Sequence, residues 1–151
     1  MEVESRVPEF VFEGTTMTRY EDKNVTLQMN ADVLEQYKGS SETYAKNVSF
    51  SSYEDGEMST EGSCGLLYSD TDKDLYELYD EIKLFNYKEK VNFYADVLRW
   101  NAKNEQLTSA RGEMVKIEKD DTVIRGSGFS ASGISKTFSF RGNVTGDIET
   151  K

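Results

Sequence analysis

Strict alternation of apolar and polar residues is the feature that most constrains this chain. From Val25 to Val33 the residues Val25, Leu27, Met29, Ala31 and Val33 interleave with Thr26, Gln28, Asn30 and Asp32. Side chains on a strand point to opposite faces in turn, so this period of two describes a strand with one dry and one wet face. The C-terminal run repeats the pattern, with Phe138, Phe140, Gly142, Val144, Gly146 and Ile148 sharing one parity. Weaker versions join Val48 to Phe50, Met58 through Leu66 to Tyr68, and Val91 through Phe93 to Val97.

Turn chemistry separates these runs at Glu54-Asp55-Gly56, Tyr87-Lys88-Glu89-Lys90, Lys119-Asp120-Asp121 and Ala131-Ser132-Gly133. The single proline, Pro8, precedes the first run, so later ladders lose no backbone donor to proline. These signals predict a meander of long antiparallel strands in one domain over residues 8–151, behind a disordered lead of residues 1–7. One segment competes: Leu75, Leu78, Tyr79 and Ile82 fall at helical spacing behind a possible cap at Asp70, Thr71 or Asp72.

Ala31-Asp32-Val33-Leu34 recurs as Ala95-Asp96-Val97-Leu98, and Gly62-Ser63 recurs as Gly126-Ser127, both 64 residues on. The shared offset suggests two copies of one β unit. In both copies the alternation slips between Val and Leu, which calls for a bulge and a bent strand. Long bent strands with one dry face make a trough.

Composition narrows the function. A net charge of −10 disfavours nucleic acid, because phosphate binding needs cations to replace counterions. The chain has no histidine and one cysteine, Cys64, so histidine-based triads and histidine-ligated metal sites are excluded within it. Asp70, Asp72, Asp74 and Glu81 have the spacing of a calcium loop, but Leu75 stands where its sharp turn needs glycine. No catalytic residue, metal site or cofactor is expected. The dry face carries Leu27, Met29, Phe50, Met58, Leu66, Phe93, Phe138 and Phe140. Periodicity leaves two readings open: a sandwich core, or a face that receives an acyl chain.

The order of the C-terminal motifs adds to this reading. Ala95-Asp96-Val97-Leu98-Arg99-Trp100, Leu107-Thr108-Ser109, Val115-Lys116-Ile117, Gly126-Ser127-Gly128-Phe129 and Phe140-Arg141-Gly142-Asn143-Val144 follow in series. This series resembles the LptC family of lipopolysaccharide-export proteins, and the likeness extends over roughly residues 8 to 149. The resemblance implies an all-β, twisted, boat-shaped, jellyroll-like structure of two facing antiparallel sheets, the OstA-like architecture shared with LptA proteins. It implies a non-enzymatic periplasmic subunit, attached to the inner membrane, that holds the acyl chains of lipopolysaccharide or a related glycolipid between the sheets. Such a subunit would dock on an inner-membrane ABC transporter and pass lipid to an LptA-like partner. The partner edge would be the closing strand, at Phe140, Gly142, Val144 and Gly146. The resemblance favours strand over helix for 75–87, with Asp80 where members usually carry glycine. The family's N-terminal anchor has no counterpart here, so Met1 is expected to begin a trimmed ectodomain. The alternative is a cell-envelope scaffold or adhesion domain with a closed core and no lipid.

Overall fold

A computed structural model describes residues 7–37, 39–110, 112–132, 137–142 and 144–148. The chain alternates between turns and strands throughout the described residues. The strands are β1 (Phe10–Glu21), β2 (Asn24–Gln36), β3 (Glu42–Glu54), β4 (Glu57–Asp70), β5 (Leu75–Asn86), β6 (Val91–Asn101), β7 (Gln106–Ser109), β8 (Met114–Lys119), β9 (Thr122–Ser127), β10 (Phe129–Ser132), β11 (Thr137–Phe140) and β12 (Val144–Ile148). All pairings are antiparallel, and β1 to β6 follow one another as neighbours. The segment with helical spacing is strand β5. Its Leu78 and Ile82 are both buried because a spacing of four also returns to the same face of a strand, not because of a helical turn; a bulge lies between them.

That bulge belongs to a crease crossing the sheet. Gly14, Asp32, Asn47 and Gly65 stand opposite one another where the ladders skip a pair, and the line continues through Asp80–Glu81 and Asp96. Positive φ marks it: Gly14 (60°), Asn47 (51°), Asp80 (66°), Glu81 (52°), Gly112 (86°) and Gly128 (64°). Left-handed residues and extra residues bend a strand and increase its twist. The sequence slip thus lies at Asp32 and Asp96, one residue before the expected Val–Leu step. Both echo motifs occupy the crease, each with its Ala and Leu buried on either side.

Each long strand therefore runs from one half of the sheet into the other. At the C-terminal end the halves separate along β6. Its first part, Asn92–Ala95, pairs with β8, while Leu98–Asn101 pairs with β7. The half holding β8, β9 and β12 also contains Thr15–Ala31, Val48–Cys64 and Ile82–Ala95; it is called the first half. The second half contains β7, β10 and β11 with Phe10–Glu13, Val33–Lys46, Leu66–Tyr79 and Val97–Asn101. The two facing layers are halves of one hydrogen-bonded sheet rather than two sheets.

A single apolar cluster joins them. Ala31, Val48, Cys64, Ile82, Ala95 and Val115 flank the crease on the first half; Leu34, Ala45, Leu78, Leu98 and Phe129 flank it on the second. Phe129, Ile82, Leu98, Val48 and Val115 are fully buried. Burying each such side chain contributes about 1.5–3 kcal/mol, so this spine is what holds the fold bent.

Candidate functional site: the trough between the half-sheets

Moving outward from the spine, the first half presents Met17, Met29, Phe50, Leu84, Phe93, Ile117 and Ile124 in register on one row. The second half answers with Phe10, Tyr76, Trp100, Leu107, Ala131 and Phe138, interrupted by Gln36, Thr43 and Ser69. Met29, Phe50, Leu67, Tyr76, Leu84, Phe93, Leu107, Ala131 and Phe140 are part-buried against the spine. No carboxylate occupies these inward rows, although 30% of the chain is charged. Carboxylates inside the strands, such as Glu35, Glu61 and Glu77, instead take the outward parity, because burying an unpaired charge would cost several kcal/mol.

Contacts across the gap show that the halves face each other. Arg19 on the first half donates from Nη2 to the Tyr76 hydroxyl on the second at 3.4 Å. Phe93 on the first half lies 5.8 Å from Phe129 and 6.4 Å from Phe138, measured between ring centroids. Phe129, Phe138 and Phe140 also touch one another, giving an aromatic cluster at the β11 end. At the β1 end the apolar residues are open to solvent: Phe10, Phe12 and Met17 are each about half exposed. The trough is thus open at its N-terminal edge and lined by packed rings at its C-terminal edge, where Phe138 is itself about half exposed.

The outward faces have different chemistry. On the second half Tyr44 packs on Tyr68, and the Tyr68 hydroxyl donates to Glu42 at 2.9 Å. Desolvation and that carboxylate push the Tyr68 phenol up to about 12. The Tyr79 hydroxyl donates to Glu77 on the same face, which raises its pKa. On the first half a depression of about 430 Å³ is lined by Lys83, Tyr94, Lys116 and Arg125, with the Lys116 ammonium 4.5 Å from the Tyr94 ring centre. Hydrogen-bonded phenols and paired charges mark these as wet surfaces.

Of the residues expected on the groove face, Leu27, Met29, Phe50 and Phe93 lie on the inward face of the first half. Phe138 and Phe140 lie on that of the second half. Met58 lies beyond the bulge at Ser59 and pairs with Tyr53, so it takes the outward parity of Tyr53 and not the inward parity of Thr60. Leu66 does not belong on the groove face either. It pairs with exposed Lys46, while its neighbour Leu67 pairs with buried Ala45. The crease at Gly65 reverses the parity that unbroken alternation assigns to Leu66. Periodicity also missed Leu84, which follows the helix-like stretch, and Tyr76, Trp100 and Phe129, which lie beyond the crease.

The expected partner edge is a real edge. Among the described residues β11 pairs only with β10, and β12 only with β9. Phe140, Val144 and Gly146 lie on these strands, and Val144 is half exposed. Gly142 falls between them, and its N–H donates to the Ser127 carbonyl at 3.0 Å, so that donor serves the crease. Cys64 is buried in the spine, where desolvation pushes its thiol up to about 11, the state of an inert side chain. Asp70, first residue of the calcium-like spacing, instead caps the β4–β5 turn by accepting from Ser41 Oγ at 2.6 Å and the Asp72 N–H at 3.1 Å. Among the described residues no group of acids could hold a metal.

This creased, edge-open sheet has counterparts. The family model for lipopolysaccharide-assembly, LptC-related proteins matches residues 1–149. The chain belongs to that family. An uncharacterised protein of Treponema pallidum (strain Nichols) is 24% identical over 144 residues, covering 94% of this chain and 72% of its own. In fold the chain is similar to LptH of Pseudomonas aeruginosa, described as the LptA-homologous periplasmic component of the conserved lipopolysaccharide transport device. The TM-score is 0.67 at 10% identity, covering 82% of this chain and 95% of LptH. Membership in the LptC-related family gives lipopolysaccharide assembly as the role.

Proposed function

We propose that this chain holds lipid acyl chains between the half-sheets and relays them, without catalysing a reaction, from an inner-membrane ABC transporter to an LptA-like partner. The observation that carries this reading is the inward face: rows of Met, Phe, Leu and Ile without a carboxylate, open at the β1 end. An acyl chain lies favourably against such a surface at roughly 0.8 kcal/mol per buried CH₂. The groove set is Leu27, Met29, Phe50, Phe93, Phe138 and Phe140, with Leu84 and Ile117 added by the register. Entry of a chain displaces part-buried residues and spreads the halves about the crease, while the spine stays shut. Handover uses strand addition to the β11–β12 edge, which places Val144 and Gly146 at the contact. Attachment to the inner membrane would hold the trough beside the transporter.

Close packing of the spine favours a second reading, a scaffold domain whose core admits no lipid. Native mass spectrometry of the purified chain separates them. The relay reading expects a co-purified glycolipid or uptake of an added two-chain lipid; a chain that stays bare in both cases is the closed scaffold.

A further inference from the structure

The lips of the trough carry chemistry that the apolar interior does not explain. The turns on the first lip (21–24, 54–57, 87–90 and 119–122) hold eight carboxylates against four lysines. The described residues on the second lip (37–42, 70–74 and 101–105) hold five carboxylates against two lysines, or three counting Lys38, which lies outside the described residues. The inward rows carry two cations at the rim, and both are engaged. Arg19 donates to Tyr76, and Lys119 pairs with Glu89 at 3.7 Å. A multiply phosphorylated headgroup would therefore meet net negative charge on either side.

A second observation places a seat there. A depression of about 500 Å³ on the second lip is lined by Glu9, Gln36, Tyr37, Ser40, Ser41 and Asp72, with no cation among these described residues; Lys38, in the same stretch of sequence, lies outside them. It adjoins the open end of the trough. Gln36 pairs with Phe10, and the Glu9 N–H donates to the Gln36 carbonyl at 2.8 Å. Amide, phenol, hydroxyl and carboxylate groups together suit polyhydroxyl ligands: carboxylates and carbonyls accept from sugar hydroxyls, and amides donate to them.

We propose that this lip depression seats a neutral saccharide, the headgroup of a two-chain glycolipid whose chains lie in the trough. The inference rests on the trough reading and adds the class of headgroup. Carboxylates at Glu9 and Asp72 attract hydroxyl donors and repel phosphate, so the seat selects as well as binds.

Competition binding in detergent micelles tests it, with monoglucosyl diacylglycerol, diacylglycerol, phosphatidylglycerol and a bis-phosphorylated lipid A as probes. The glucosyl lipid is expected to bind at least tenfold more tightly than either anionic lipid at low salt. The Glu9→Gln, Asp72→Asn double variant, on exposed turns, should bring its affinity down toward that of plain diacylglycerol. Equal or tighter binding of the anionic lipids, or a variant that keeps the full glucosyl preference, overturns the saccharide seat while leaving the trough standing. Binding of none of the four probes overturns the trough and the seat together.

Discussion

Phe140 lies over Gly126, although the two residues sit on opposite halves of the sheet. A Cβ at Gly126 would stand 2.5 Å from the Phe140 ring, closer than real atoms approach. Gly126 is buried, and its missing side chain is the space that lets the Phe140 ring pack across the C-terminal end of the trough. Gly126→Ala should therefore force the Phe140 ring outward and cost about 1–3 kcal/mol, the range for overpacking. Gly146→Ala is the control. It has negative or extended φ, and its nearest neighbour would be the Val123 carbonyl at an ordinary 3.6 Å. Urea titration of both variants should lower the midpoint for Gly126→Ala and not for Gly146→Ala.

Asp80 and Gly65 form the corresponding contact in the middle of the crease. Asp80 adopts φ of 66°, and a Cβ at Gly65 would come 2.8 Å from the Asp80 Cβ. Left-handed backbone costs a residue with a side chain about 1–2 kcal/mol, whereas glycine adopts it freely. Asp80→Gly should thus be neutral or stabilising by up to about 1 kcal/mol. Asp80→Val should destabilise, since a β-branched residue tolerates this conformation least. Thermal melts that rank valine above glycine would show that the crease does not need this conformation.

The strands were legible in the sequence because alternation at Val25–Val33 and Phe138–Ile148 is a local signal. Asp80 was legible as an irregularity only through the family resemblance. The fold of the sheet upon itself was not legible in the same way. It depends on residues such as Asn47 (φ 51°) and Glu81 (φ 52°), whose left-handed backbone carries no compositional mark comparable to glycine. Parity inverts across Asn47, and likewise across Gly65, so Leu67 and not Leu66 faces the groove. Arg19 escaped notice because its partner, Tyr76, is 57 residues away and meets it only after the sheet folds.

Acid stability should report the β4–β5 turn. The hydrogen bond from Ser41, and the Asp72 and Lys73 groups around it, hold the Asp70 carboxyl below its usual range, outweighing desolvation. A carboxyl with a depressed folded pKa stabilises the fold above its unfolded pKa, and that contribution disappears as pH falls through the folded value. Asp70→Asn should therefore lower stability at neutral pH and flatten its decline between about pH 4 and the acid limit. Chemical denaturation at pH 7 and pH 3 measures this; an unchanged acid slope would mean that Asp70 does not carry it.

The handover edge can be tested with proline at two adjacent sites. Successive N–H groups on an edge strand point alternately to the neighbour and to solvent, so only one of Val144→Pro and Thr145→Pro removes a donor offered to a partner. That variant should keep the fold and lose binding to an LptA-like protein; the other should weaken the β9–β12 pairing. Normal pull-down by both variants would move the docking edge away from β12.

The most direct test of the central claim is photo-crosslinking from both faces of the same strands. Photoreactive residues replace Phe50 and Phe93, which face inward, and Ser49 and Asn92, which are adjacent but face outward. A one-residue step reverses the face, so the pairs differ in little else. Incubated with a two-chain glycolipid, the variants at positions 50 and 93 should capture lipid and those at 49 and 92 should not. Equal capture from both parities, or capture from 49 and 92 alone, would contradict a lipid-holding trough between the half-sheets.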